Sequence, residues 1–346
     1  MHRHKHLFER VVAFENLLAA ARSALRGKRS RDPGAAFYLD LEQQIVDLHR
    51  ELSSGDYRPG MYRYFRIHEP KERLVAAAPF RDRVVHHAIV RVIQPIFEKR
   101  FIEDSFASRP GKGTHAAMRR ACQFSTRFAY ALKCDVQRYF PSIDHGTLKS
   151  LVGRAIGDNR LLTLISVVLG THHDSVRQEW PVGSELFDVE LYPCGLPIGN
   201  LTSQFFANVY LNSLDHFVKH ELRVKGYVRY LDDFVLFSDD RRVLTEQGQQ
   251  IKKKLAELYL RMHPDKYRLV PTRCGVDFVG FVVRSDGRMR VRTATARRFQ
   301  ARFRSMRWEV GERKRAASSL TTSVKAWAAH VKHAHSEGLR RAVLCR

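Results

Sequence analysis

The chain has 346 residues, with 60 Lys plus Arg against 36 Asp plus Glu and a formal net charge of +24. An excess of that size suits a polyanion, nucleic acid ahead of a membrane surface, and no uninterrupted apolar run is long enough to span a bilayer. Five scattered cysteines without a CxxC pair argue against a disulfide framework or a zinc cluster and for a reducing compartment, by default the cytoplasm.

The N-terminal stretch "MHRHKHLFER" is basic and lacks the apolar core of a secretory signal. From Leu7, "LFERVVAFENLLAAARSALRG" carries apolar residues at helical spacing and ends in a basic, Gly/Pro-marked break. "FYLDLEQQIVDLHRELSSG" predicts a second helix stopped by Gly55, and "YRYFRIHEPKERLVAAAPF" two strands around a polar turn. Residues 81–101 read as helix, with Pro95 as a kink or a break between two helices. "SRPGKGTH" is a Gly-rich loop opening another helix. It is no P-loop, since Gly113 stands where Ser or Thr would follow the lysine. "FAYALKCDVQRYFPSID" is an apolar strand running into a turn, and the stretch to Asn200 is loop-like. Residues 201–222 form a long helix. The hairpin "YVRYLDDFVLFSDD", another helix, a second hairpin "VDFVGFVVRSDGRMRV", and very basic helices from Thr293 onward complete the chain. Hairpins mixed with helices, rather than strict strand–helix–strand units, predict an α+β chain with an antiparallel sheet.

The carboxylates set in strands carry the chemistry. Asp232 and Asp233 interrupt a run of strong strand formers, and Asp135 ends a similar apolar strand. A surface turn accounts for each by itself. Two such strand ends side by side would instead bring Asp135 and Asp232 together, and oxygen-only ligation suits Mg²⁺, which keeps positions for phosphate oxygens. A metal pair stabilises both the attacking and the leaving oxygen of an in-line phosphoryl displacement. His86/His87 and His172/His173 fit a helix and a polar loop better than a metal site.

The order of these motifs resembles the reverse transcriptases. "YLDD" in a hairpin, "DVQRYF" upstream and "GLPIGNLTSQ" between them look like that family's core; "EPKERLVAAAPFRDRVVHHA", "SFASRPGKGTHAA", "MHPDKY" and "VDFVGF" match its remaining motifs in order. Within that family, the group II intron-like branch and its diversity-generating retroelement type are the most similar, through "IGNLTSQFFANVYLNSLD" and the tail "SVKAWAAHVKHAH" with Trp327 and His330.

The resemblance implies a right-hand polymerase. An N-terminal helical extension would span 1–60 and fingers 61–115. A ferredoxin-like antiparallel palm would cover 116–284, with an insertion near 150–195, and a short basic helical thumb 285–346. It implies that Asp135, Asp232 and Asp233 bind two Mg²⁺ ions, with Mn²⁺ as the substitute, and that Lys266 acts as proton donor to pyrophosphate. Lys71 and Arg73 would clamp the triphosphate of the incoming nucleotide. Phe140 would exclude a 2′-hydroxyl, and Ile198, Gly199 and Gln204 would shape the nucleotide site. Many relatives have Gln where Ile198 stands; an isoleucine cannot hydrogen-bond the nascent pair, which implies error-prone copying. The implied partners are an RNA template, an RNA–DNA hybrid and deoxynucleoside triphosphates, with a small basic accessory protein and a dedicated structured RNA. A reverse transcriptase of a phage-defence or CRISPR-associated system, and a non-catalytic RNA-binding scaffold, are the alternatives.

Overall fold

The computed structural model describes residues 3–28, 32–68, 72–172 and 193–345. The chain forms two compact units, each from three stretches: Met1–Ile102, Gln137–Asp215 and Lys254–Arg261 in the first, and Glu103–Val136, His216–Lys253 and Met262–Arg346 in the second.

The first unit begins with helices where the apolar spacing predicts them, but divided more finely. Phe8–Val12 and Phe14–Leu25 are separated at Ala13, whose ψ of 134° is extended. The break lets two short stripes bury separately: Phe8, Val11 and Val12 in one, Leu17, Ala21 and Leu25 in the other. Asp32–Leu39 and Leu41–Ser54 follow, and Gly55 ends the latter with φ +85°, a conformation that favours glycine. Pro95 neither breaks nor ends its helix, which runs unbroken over Phe80–Glu98. Val92, Ile93 and Phe97 are buried on either side of it, so packing of the apolar stripe outweighs the single backbone bond that proline forgoes. The hairpin Arg63–Ile67/Arg73–Ala77 is antiparallel with Ile67 opposite Arg73. Lys71 lies outside the described residues. Asp144 and Asp158 cap the helices His145–Gly153 and Asn159–Gly170 by accepting from the Thr147 and Leu161 amides. The long helix occupies Leu201–His216 and passes into a π-turn at Phe217–Glu221.

The second unit is built on a four-stranded antiparallel sheet, in spatial order Gly226–Tyr230, Asp233–Ser238, Tyr130–Asp135, Arg268–Pro271. Residues directly opposite share a face. Ala131, Phe237, Val235 and Val228 therefore meet the helix Thr114–Arg127 in one core, with Met118, Ala121, Phe278 and Phe281. The expected second hairpin gains a third strand: Val276–Phe278, Phe281–Val283 and Met289–Val291 pair in that order. Three basic helices follow, Thr293–Gly311, Ala317–Val331 and Glu337–Leu344. Trp327 stacks on Phe299 with ring centroids 4.2 Å apart, fastening the first two. The mixed helix-and-sheet architecture with antiparallel sheets is the one expected. The five cysteines are free thiols, and among the described residues no helix is long and apolar enough to cross a membrane.

Candidate active site

The acids meet through strand register in the second unit. Asp135 is the last residue of its strand and stands directly opposite Asp233, the first residue of the next. Asp232 occupies the two-residue turn with Leu231, between paired Tyr230 and Asp233. Leu231 adopts φ +54°, a costly conformation for a residue with a γ-branched side chain. Two interactions hold the turn there. The Val136 amide donates to the Asp232 carbonyl at 3.1 Å. Arg229, fully buried, donates through Nη1 to the Leu231 carbonyl at 3.1 Å and through Nη2 to Ser105 Oγ at 3.1 Å.

The two opposed carboxylates differ in surroundings. Lys266 Nζ lies 2.7 Å from both Asp135 oxygens. The short helical turn Pro264–Lys266 brings it there, anchored by the His263 amide donating to the Asp135 carbonyl at 2.8 Å. Asp233 has only a distant cation: Lys133 Nζ is 3.7 Å from Oδ2 and donates to the Asp277 carbonyl at 2.7 Å. Asp233 Oδ1 is buried with no hydrogen-bond partner. Burial, above all, pushes the Asp233 carboxyl up to about 7; Lys133 opposes the shift, and the charges of Asp135, Asp232 and Asp277 add to it. The Cys134 thiol is pushed up chiefly by burial and next by the charge of Asp233.

Those features test the fit of a divalent cation. An orphaned buried carboxylate oxygen, with a second carboxylate directly across the ladder, is a donor set for a hard cation. Among the described residues no group of three or more His, Cys, Asp or Glu side chains stands arranged to hold a metal ion. The fit therefore rests on the Asp135–Asp233 pair, with Asp232 beside it in the turn and Lys266 sharing the place a cation would take.

Apart from Lys71, which lies outside the described residues, the expected nucleotide-binding residues belong to the first unit. Phe140 opens a one-turn helix, Phe140–Ser142, and its carbonyl accepts from the Leu196 amide at 2.9 Å. The Ile198 carbonyl accepts from the Ala76 amide at 2.9 Å, joining the same loop to the hairpin that carries exposed Arg73. Gly199 has φ +116°, and a Cβ there would stand 2.8 Å from Val75 Cγ1. Gln204 is exposed on the first turn of Leu201–His216.

Three contributors escaped the sequence reading. Lys133 was legible: two residues before Asp135 in a strand, it must share that acid's face. Arg229 and His263 carried no local signal, because one acts through burial and the other through a backbone amide.

Comparison with known proteins identifies the family. The profile of the family "Reverse transcriptase (RNA-dependent DNA polymerase)" matches residues 67–283. Protein YkfC of Escherichia coli (strain K12) is 27% identical, over 88% of this chain and 91% of its own length. Group II intron-encoded protein LtrA of Lactococcus lactis subsp. cremoris is 26% identical over 60% of this chain, which spans only 33% of that protein. Among solved structures, apo telomerase from Candida tropicalis truncated from its C-terminal domain aligns with a TM-score of 0.48 at 11% identity, covering 67% of this chain and 55% of that one. Since that profile, matching residues 67–283, covers more than half of the chain, the chain belongs to the reverse transcriptase family of RNA-directed DNA polymerases.

Proposed function

We propose that the chain extends a primer on an RNA template with deoxynucleoside triphosphates, using two Mg²⁺ ions, as the error-prone reverse transcriptase of a diversity-generating retroelement. The observation that carries the catalytic part is the Asp135–Asp233 register pair with its orphaned oxygen. Asp135 and Asp233 would hold the cations and Asp232 would join them from the turn. Bound there, divalent ions supply charge stabilisation for the primer 3′-oxygen and the leaving pyrophosphate oxygen. The chain's own residues supply position. Arg73 offers a planar guanidinium to triphosphate oxygens. Phe140 presents a bulky ring toward a sugar and so disfavours a 2′-hydroxyl. Lys266, an ammonium beside the acids, is suited to give a proton to departing pyrophosphate. The basic C-terminal helices are suited to a hybrid's backbone, read by shape rather than sequence.

The retroelement type is supported by Ile198 in place of an amide and by Gln204. A small basic accessory protein and a dedicated structured RNA belong to the same reading. The similarity to intron-encoded LtrA supports the broader group II intron-like branch. Primer extension on an RNA template, wild type against Asp232→Ala, tests the polymerase. Extension by the variant at the wild-type rate would return the chain to an RNA-binding scaffold. Incorporation of ribonucleotides as readily as deoxynucleotides would remove the role of Phe140, and high-fidelity copying would remove the diversity-generating assignment.

A further inference from the structure

Ala76, in the hairpin that carries Arg73, and Asn200, in the loop after Pro197, are 124 residues apart in sequence, yet Ala76 gives both its backbone polar groups to that loop. Ala76 is 2% exposed. Its amide donates to the Ile198 carbonyl at 2.9 Å, and its carbonyl accepts from Asn200 Nδ2 at 3.0 Å. Asn200 itself is 4% exposed, so neither bond competes with water. Between these two bonds sits Gly199, at φ +116°, with Val75 Cγ1 2.8 Å from where a Cβ would be. The close approach therefore requires a glycine twice over, by conformation and by space. At its other end the same loop is held to Phe140 by the Leu196 amide.

Arg73 lies three residues before Ala76 on one strand, while the partner strand Arg63–Ile67 is exposed along its whole length. The partner strand is anchored outward by Tyr64 Oη, 3.1 Å from His172 Nδ1, while the strand that carries Arg73 is fastened to the loop through Ala76. We propose that Asn200 is a positioning residue for nucleotide binding: by clamping Ala76 it sets where Arg73 stands relative to Ile198 and Phe140. This rests on the polymerase reading, in which Arg73 meets the triphosphate. The side chain of Asn200 touches no substrate; it acts through the hairpin. Gly199 serves the same fastening from the other side by letting the backbones approach.

The test uses the full chain with Asn200→Asp, Asn200→Ala and Gly199→Ala. The aspartate is nearly isosteric, but it faces the Ala76 carbonyl with an acceptor instead of a donor. Each variant is assayed for KM and kcat in deoxynucleotide incorporation, for primer–template affinity, and for hydrogen exchange of the amides in residues 73–77. The expected result is a KM for the nucleotide raised roughly 5- to 50-fold, the change carried by one broken buried hydrogen bond. The kcat at saturating nucleotide and the primer–template affinity should change little. Exchange at Ala76 should speed up, most in the aspartate variant, and Asn200→Gln, which keeps the amide donor, should recover part of the affinity. Wild-type KM in all three variants overturns the proposal, as does a fall in kcat at constant KM. Slow Ala76 exchange in Asn200→Asp overturns it independently. A wild-type chain that extends no primer defeats the polymerase reading instead. The nucleotide role then falls with that reading, while exchange at Ala76 still decides the fastening.

Discussion

If Asp135 holds a divalent cation as proposed, Lys266 and that cation would compete for the same carboxylate, and Lys266→Met separates their contributions. The ammonium sits 2.7 Å from both oxygens of Asp135, whose side chain is 10% exposed against 39% for the lysine. Removing one partner of a fully buried pair costs about 3–5 kcal/mol, because the other charge is stranded. The partial exposure of Lys266 lets water compensate, which brings the cost to roughly 1–2 kcal/mol. For a chain of 346 residues that is a fall in melting temperature of about 1–3 °C. The fall belongs to the chelated protein alone. With Mg²⁺ or Mn²⁺ present, the cation takes up the charge of Asp135 and the deficit shrinks, so the variant gains more from metal than the wild type does. Thermal melts of both proteins in chelator and in millimolar divalent ion measure this directly. An equal deficit with and without metal would refute the competition, and no deficit in chelator would refute the ion pair.

Three further outcomes follow from other parts of the chain. His86 is 2% exposed, and burial, with the charges of His87 and Arg83, lowers its pKa from 6.5 to about 3. The neutral ring is favoured in the fold while the unfolded chain protonates near 6.5. Its contribution is therefore complete above pH 6.5 and is lost as pH falls toward 3, by roughly 2 kcal/mol between pH 6.5 and 5. Urea titrations at those two pH values should give a smaller difference for His86→Leu than for wild type; an unchanged difference removes His86 as the source. Gly226→Ala places a Cβ 2.7 Å from Phe237 Cβ and 2.9 Å from Phe128 Cε2, an overpacking worth about 1–3 kcal/mol in denaturant midpoint, and an unshifted midpoint would show that the strand yields freely. Ile198→Gln restores an amide that can meet the nascent pair and should lower misincorporation in primer extension; unaltered error rates would detach Ile198 from fidelity.

The alternation of apolar residues around Asp135 and around Asp232–Asp233, together with motif order, was enough to identify the family and to place acids at strand ends, because strand periodicity and hairpin turns are local properties. Helix boundaries were less legible. Ala13 breaks a continuous apolar pattern, whereas Pro95, read as a kink or a break, does not divide its helix. In both cases burial on a neighbouring element outweighed local preference.

Which acid faces which was beyond sequence. The sequence pattern pairs Asp135 with Asp232, whereas the structure sets Asp233 opposite it; a one-residue change of register exchanges the two. Only the paired strands decide that Asp233 stands opposite Asp135 and that Asp232 belongs to the turn. The same holds for Ala76 and Asn200, whose pairing joins segments with no shared local signal. Residue types and their spacing determined the kind of chemistry this chain carries. Register and long-range backbone pairing determined which atoms meet to perform it, because those contacts depend on the free energy of the whole fold and not on any short stretch of chain.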